Sequence, residues 1–349
     1  ILDKARARAR VMGHKQGALF PWRTISGEEC SAYYPAGSAQ YHINADVAFA
    51  IRRYLDATGD MDFAWDEGLE MLIETAAFWL DLGFYNPEHD GKFCIQEVTG
   101  PDEYNVLVNN NYYTNLLART NMEDAAALTR LLAQEDAVRV RELYERLGYD
   151  SDSLLDDWDR AAADMYLPYD EAEQLCLQDD GFLSRKPWDF AGVPRENYPL
   201  LLHYHPLVIY RHQVCKQGDM ILAMYLQPEY FSLADTRRAY DFYEACTTHD
   251  SSLSASIFSV MANRLGYHAR AFRYFMETAR MDLDNTHHNT ADGLHMANMA
   301  GTWLSLVHGY GGVTFPNHEM HISPQLPEQW EGYSFRQVWR GSLLEVQVT

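Results

Sequence analysis

A chain of 349 residues, 47% of them hydrophobic, carries enough apolar surface for one large core, or for one core plus a fragment. Fifty acidic against 28 basic residues leave a net charge of -22, which repels nucleic acid and anionic membranes and sets both aside as partners. The 5 cysteines are scattered without a C-x-x-C pair, which argues against a disulfide framework or a zinc site, and with no leader or membrane-length apolar run a cytoplasmic protein is expected.

Residues 2–13 read as a helix already under way at Ile1, with Gly13 as its stop, so the chain is expected to be part of a longer protein. The next loop holds Trp22-Arg23-Thr24 and Gly27-Glu28-Glu29-Cys30-Ser31. An aromatic ring, a guanidinium and two carboxylates suit the gripping of sugar hydroxyls; a structural loop with a surface ion pair is the other reading. Ile43, Val47, Ala50, Ile51 and Tyr54 stand at helical spacing and predict a helix over 40–58, ending at Thr58-Gly59-Asp60. At its start His42 and Asp46 share one face, as a substrate contact or as a brace. Residues 61–82 repeat the pattern with Phe63, Leu69, Leu72, Ile73, Phe78, Trp79 and Leu80. A loop over 84–108 follows, containing Gly100-Pro101-Asp102-Glu103-Tyr104. Gly-Pro favours a tight turn over a helix start. A carboxyl group held there beside aromatic rings suits a general acid, because low polarity raises its pKa; an exposed acidic turn is the alternative.

Further helices are predicted at 111–119, 122–147, 154–165, 212–225, 233–246, 253–264, 267–279 and 293–309. In Cys215-Lys216-Gln217-Gly218-Asp219, Lys216 opens a helix that reads as buried. A buried ammonium needs a phosphate, a carboxylate, a sugar hydroxyl or simply Asp219 beside it. His249-Asp250-Ser251-Ser252-Leu253-Ser254 ends in a Ser-rich helix start, either an anion site or an ordinary N-cap by Ser252 or Asp250. Asn289 to His295 forms a second turn into an apolar helix, and His295 either bonds a phosphate or packs in a core. The pairs His203/His205 and His287/His288 lack a third ligand, so no metal site is assigned. No P-loop, dinucleotide fingerprint or G-x-S-x-G elbow occurs. From about residue 311 the chain turns Pro-rich and strand-like, with Gly341-Ser342 read as a hairpin turn. The whole is an all-α pattern of antiparallel hairpins without a fixed period, expected to close into a toroid with its long loops gathered at one end.

Taken in order, these segments resemble glycoside hydrolase family 65, the inverting disaccharide phosphorylases. The matching pieces are Ala18-Leu19-Phe20-Pro21-Trp22-Arg23-Thr24, Gly27-Glu28-Glu29, Gln40-Tyr41-His42-Ile43-Asn44-Ala45-Asp46, Thr58-Gly59-Asp60, Gly100-Pro101-Asp102-Glu103-Tyr104, Lys216-Gln217, His249 to Ser254, and Asp292-Gly293-Leu294-His295 through Ala300-Gly301-Thr302-Trp303. The resemblance implies an (α/α)6 barrel over 1–310, without the N-terminal part of the family architecture, and the start of a C-terminal β-sandwich over 311–349. It implies Glu103 as the general acid, and His295, Ser251, Ser252 and Lys216 around phosphate. Lys216 and Gln217 then lie near the glycone, and Glu28 and Glu29 shape the acceptor subsite. Trp22 and His42 join the substrate contacts from the residue reading.

The implied reaction is inverting phosphorolysis of an α-linked glucosyl disaccharide to β-D-glucose 1-phosphate and a free sugar. Phosphate, already anionic, takes the place of the base-activated water of an inverting hydrolase. The implied partners are the disaccharide and phosphate, with a homodimer as the assembly and no cofactor beyond inorganic phosphate as co-substrate. The loop Ser31-Ala32-Tyr33-Tyr34-Pro35-Ala36-Gly37 looks most like trehalose-type members. A glucoamylase-like hydrolase and an inactive sugar-binding fragment are the alternatives.

Overall fold

The structure, a computed structural model, describes residues 1–32 and 37–349. The chain is helix-rich, with four two-stranded sheets among the described residues, and it folds as two compact units. One comprises residues 1–169 with 177–182, the other 170–176 with 183–349. No helix among the described residues is long and apolar enough to cross a membrane.

The first unit is built from α1 (Leu2–Val11), α2 (Ile43–Thr58), α3 (Leu69–Leu82), α4 (Tyr112–Leu147) and α5 (Ser151–Asp164). A short antiparallel hairpin, β1 (Phe84–Asn86) and β2 (Lys92–Cys94), interrupts the loop expected over 84–108. Helix α3 follows Met61–Phe63 and a π-helical turn, Ala64–Gly68. Leu72, Ile73, Ala76, Phe78 and Trp79 are all buried, which is why this stretch is apolar on nearly every face. The Trp79 indole donates to Asn121 Oδ1 at 3.0 Å. That bond engages the Asn121 carbonyl from outside the helix, and the break expected between 119 and 122 does not occur: α4 runs through it. The chain leaves helical geometry at Asp136 instead (φ -149°, ψ 87°). The Asp136 carboxylate accepts from the N–H groups of Val138 (3.1 Å) and Arg139 (3.0 Å), capping the segment that follows. Asn44, fully buried, pins the entering chain by accepting from Phe20 N at 2.8 Å and donating to Ala18 O at 2.7 Å. Gly17 (φ +73°) lies so close to α3 that a Cβ would stand 2.4 Å from Phe78 N.

The second unit holds α6 (Asp219–Leu226), α7 (Leu233–Cys246), α8 (Ser254–Arg264), α9 (His268–Arg280) and α10 (Met296–Leu304), the last continuing into a π-helical turn, Ser305–Tyr310. Helix α8 is central, packing on α6, α9, α10 and that turn. The helix expected over 212–225 begins only at Asp219. His212–Gln213 is extended and pairs with Lys186–Pro187, and the Gln213 amide donates to Leu183 O (3.0 Å) and Arg185 O (2.7 Å). The helix expected from 293 begins at Met296, because Gly293 sits at φ +134°. β3 (Tyr333–Trp339) and β4 (Ser342–Val348) form the terminal hairpin, with Phe335 packed against Val307 and Val313. Its turn is Arg340-Gly341, one residue earlier than expected. Both residues have positive φ (47° and 75°), the geometry that matches a two-residue loop to strand twist.

Candidate active site

The Gly100-Pro101-Asp102-Glu103 turn belongs to the first unit, in a loop closed at its base. Val98 and Val108 exchange backbone hydrogen bonds (3.1 and 2.8 Å), Leu107 N donates to Thr99 Oγ1 (3.2 Å), and Thr99 N donates to Ala39 O (3.0 Å). Asp102 is fully buried and bound inward. Its carboxylate accepts from Tyr104 N (3.1 Å), Asn105 Nδ2 (2.5 Å) and Gln178 Nε2 (2.8 Å). A carboxylate bound by three donors is a structural anchor. Glu103, half-buried between Asp102 and the buried Tyr104, is the other carboxyl of the turn.

The loop over 21–31 is organised by Glu29. Its carboxylate accepts from Trp22 N (2.8 Å), Arg23 N (3.4 Å) and Ser31 N (2.9 Å), bonds the Ser31 hydroxyl, and pairs with Arg8 (3.2 Å). Burial raises its pKa, but the bonds from Ser31 and Trp22 and the Arg8 charge outweigh that and hold it below the usual carboxylate range. Glu28 is exposed and paired with Lys4 (2.8 Å); bonds from Lys4 and then Ser26 hold it down to about 2. The Arg23 guanidinium stacks 4.7 Å over the half-buried Trp22 ring. His42 is turned inward, with Nδ1 2.8 Å from Asp46 and Nε2 2.9 Å from Gln40, while the Tyr113 hydroxyl donates to the other Asp46 oxygen at 2.7 Å. These bonds are those of a brace. The stretch thought to resemble trehalose-type members lies at 33–36 outside the described residues.

In the second unit a one-residue bridge gathers what the sequence kept apart. Cys215 N donates to Cys246 O and Thr248 N to Cys215 O, both at 2.8 Å. Residues 216–217 therefore lie beside 249–251, and the Ser251 hydroxyl donates to Gln217 Oε1 at 2.5 Å. Lys216 is half-buried in this loop rather than opening a buried helix. Helix α8 has no side-chain cap, so neither Ser252 nor Asp250 plays that part. Ser251 Oγ instead accepts from Leu253 N (3.2 Å), and Asp250 Oδ2 accepts from Leu200 N (3.1 Å). His295 precedes α10, and Asp282 grips it twice, accepting from its backbone N (3.0 Å) and lying 2.6 Å from its Nδ1. The bond from His295 holds Asp282 below the usual carboxylate range against the effect of burial. With Nδ1 engaged, Nε2 is the nitrogen that faces Asn289, at 3.4 Å. The His287 ring lies 5.9 Å from that of His295. Burial pushes its pKa down and the field of His295 adds to this; Asp250 and Asp282 oppose, and Lys216 again lowers it. Residues from four separate stretches thus act on one imidazole. Among the described residues, no group of three His, Cys, Asp or Glu is placed to hold a metal ion.

A model of the glycosyl hydrolase family 65 central catalytic domain matches residues 1–304, and one of the family's C-terminal domain matches 314–349. The chain belongs to glycosyl hydrolase family 65. It is similar to the α,α-trehalose phosphorylase of Geobacillus stearothermophilus, 51% identical over 100% of this chain and 45% of that one. It is also similar to the kojibiose phosphorylase of Halothermothrix orenii, 34% identical over 99% of this chain and 46% of that one. Among solved structures, a "Putative kojibiose phosphorylase from human microbiome" matches with a TM-score of 0.91 and 33% identity, over 99% of this chain and 47% of that one. The chain therefore spans less than half the length of these family 65 relatives.

The family 65 motifs led sequence reasoning to Glu103, Lys216, Gln217, Ser251, Ser252 and His295. They did not lead it to Asp282, Asn289 or His287. Asp282 sits two residues past the end of α9 and shares no motif spacing with His295. In the sequence His287 stands out only as half of the His287/His288 pair, and its place beside His295 comes from the fold.

Proposed function

We propose that this chain forms the catalytic part of an inverting disaccharide phosphorylase with an (α/α)6 barrel over 1–310 and the start of a β-sandwich over 311–349. Its substrate is an α-linked glucosyl disaccharide, trehalose before kojibiose, maltose or nigerose. The observation that carries this reading is the 51% identity to a trehalose phosphorylase along the whole of this chain. The chemistry of the site residues supports it, since Lys216, Ser251, Ser252 and His295 suit an anion, while the neighbouring carboxylates are engaged, Asp282 by His295 and Asp250 by Leu200 N.

In this reading Glu103 gives its proton to the glycosidic oxygen as the bond from that oxygen to C1 breaks. A phosphate oxygen attacks C1 from the opposite face, so the α-glucoside leaves as β-D-glucose 1-phosphate and the other sugar departs free. Phosphate is held by Lys216, Ser251, Ser252 and His295, with Asp282 fixing the His295 ring. Positioned cationic and N–H groups suffice, because the nucleophile is already charged. Gln217, Trp22 and Glu28 contact sugar, while Glu29 and His42 shape the substrate side from behind. Inorganic phosphate is the co-substrate and no cofactor takes part. The compartment is the cytoplasm, and the assembly a homodimer.

The test is to incubate the full-length protein with trehalose, maltose, kojibiose and nigerose, with and without phosphate. Phosphate-dependent release of β-glucose 1-phosphate, fastest from trehalose, is the expected result. Free glucose without phosphate would establish a hydrolase instead, and sugar binding without turnover an inactive fragment.

A further inference from the structure

The proposed phosphate turn is braced by a chain of hydrogen bonds that the motifs do not contain. Glu244 on α7 pairs with Arg270 (2.9 Å) and Arg273 (3.3 Å) of α9, beside a surface hollow of about 660 Å³. Paired in this way it is ionised, and an ionised carboxylate only accepts. The Tyr274 hydroxyl therefore donates its single proton to Glu244, at 3.0 Å. Its oxygen can then only accept from His249 Nε2, also at 3.0 Å. His249 is packed between Phe258 and Tyr274, with ring centroids at 4.7 and 5.0 Å. Burial pushes its pKa down to about 4, with Arg273 adding to the effect, so the ring is neutral and carries one proton. That proton is on Nε2, which leaves Nδ1 as an acceptor for the Ser254 hydroxyl at 2.8 Å. Every proton of the chain points toward Glu244.

We propose that this Glu244–Tyr274–His249–Ser254 chain is a positioning device for phosphate. It holds His249 in its left-handed conformation (φ 57°), a region that residues with a Cβ populate sparsely. The Ser254 proton is drawn toward His249, and the Ser251 proton toward Gln217. The Ser252 hydroxyl is then the first to donate to the anion, and Ser251 joins it only by turning from Gln217. This rests on the reading of 249–254 as the phosphate turn.

The experiment is phosphorolysis kinetics on the full-length protein carrying Tyr274→Phe, which keeps the ring and removes the link. The KM for phosphate should rise about tenfold, while kcat and the KM for disaccharide stay within about twofold. Glu244→Gln keeps a carbonyl acceptor for Tyr274 and should preserve the wild-type KM for phosphate. A Tyr274→Phe enzyme with an unchanged phosphate KM overturns the proposal, as does a Glu244→Gln enzyme that loses as much as Tyr274→Phe. Should Tyr274→Phe fail to fold, Ser254→Ala, which removes the hydroxyl bonded to His249 Nδ1 and leaves the rest of the chain in place, is read by the same criteria. A wild-type enzyme indifferent to phosphate would overturn the phosphorylase reading itself, whereas phosphate dependence with an unaltered Tyr274→Phe overturns the positioning chain alone.

Discussion

Two neighbouring carboxylates in one turn carry opposite burdens. Asp102 is enclosed by three donors, one of them Gln178, 76 residues away. Asp102→Asn puts a neutral amide against those donors and should cost about 1–3 kcal/mol, read by urea unfolding. Glu103→Gln should leave the unfolding midpoint unchanged and remove most of the turnover. Near-normal activity in that variant would sink the acid assignment. The sequence Gly100-Pro101-Asp102-Glu103-Tyr104 alone treats the two residues alike. Family resemblance favoured Glu103; that Asp102 is bound inward rests on the nearby Tyr104 N and Asn105 and on Gln178, a contact that no local pattern encodes. Asp282 teaches the same lesson about His295. Asp282→Asn weakens the grip on the ring and should raise the KM for phosphate about tenfold with little change in the disaccharide KM, measured by initial rates.

At the scale of elements, helices with a clear apolar period were legible, and α7 spans the 233–246 predicted from it. Errors fell where a remote partner overrides local preference. Thr120 and Asn121 are indifferent helix formers and fall in the expected break, yet both are helical, Thr120 bonding back to Leu117 O and Asn121 engaged by the remote Trp79. Residues 212–217 have helical spacing, yet the bonds of Gln213 and Cys215 hold them extended. The true interruption of α4 is marked by Asp136, an N-cap in the middle of what reads as continuous helix. Asp136→Ala should destabilise the first unit by about 1 kcal/mol, visible as a lower midpoint in chemical denaturation. An unchanged midpoint would mean the break is set by packing rather than by the cap.

Taken whole, the molecule carries a net charge of -22 and repels itself. Raising ionic strength from low salt should therefore raise its melting temperature by a few degrees, to be followed by calorimetry. A second whole-molecule effect comes from His249, whose ordinary value of 6.5 falls to about 4 on folding. Between those values the unfolded chain binds a proton that the folded one does not, so stability falls as pH is lowered through that window. The loss should amount to roughly 2–3 kcal/mol, and His249→Gln should flatten that part of the curve in urea titrations at successive pH. The Cys215–Thr247 bridge has a consequence for synthesis. Lys216 and Gln217 leave the ribosome well before the strand partner that seats them. A nascent chain halted short of residue 247 lacks the partner that seats Lys216 and Gln217, so the proposed phosphate turn cannot assemble until that segment has emerged.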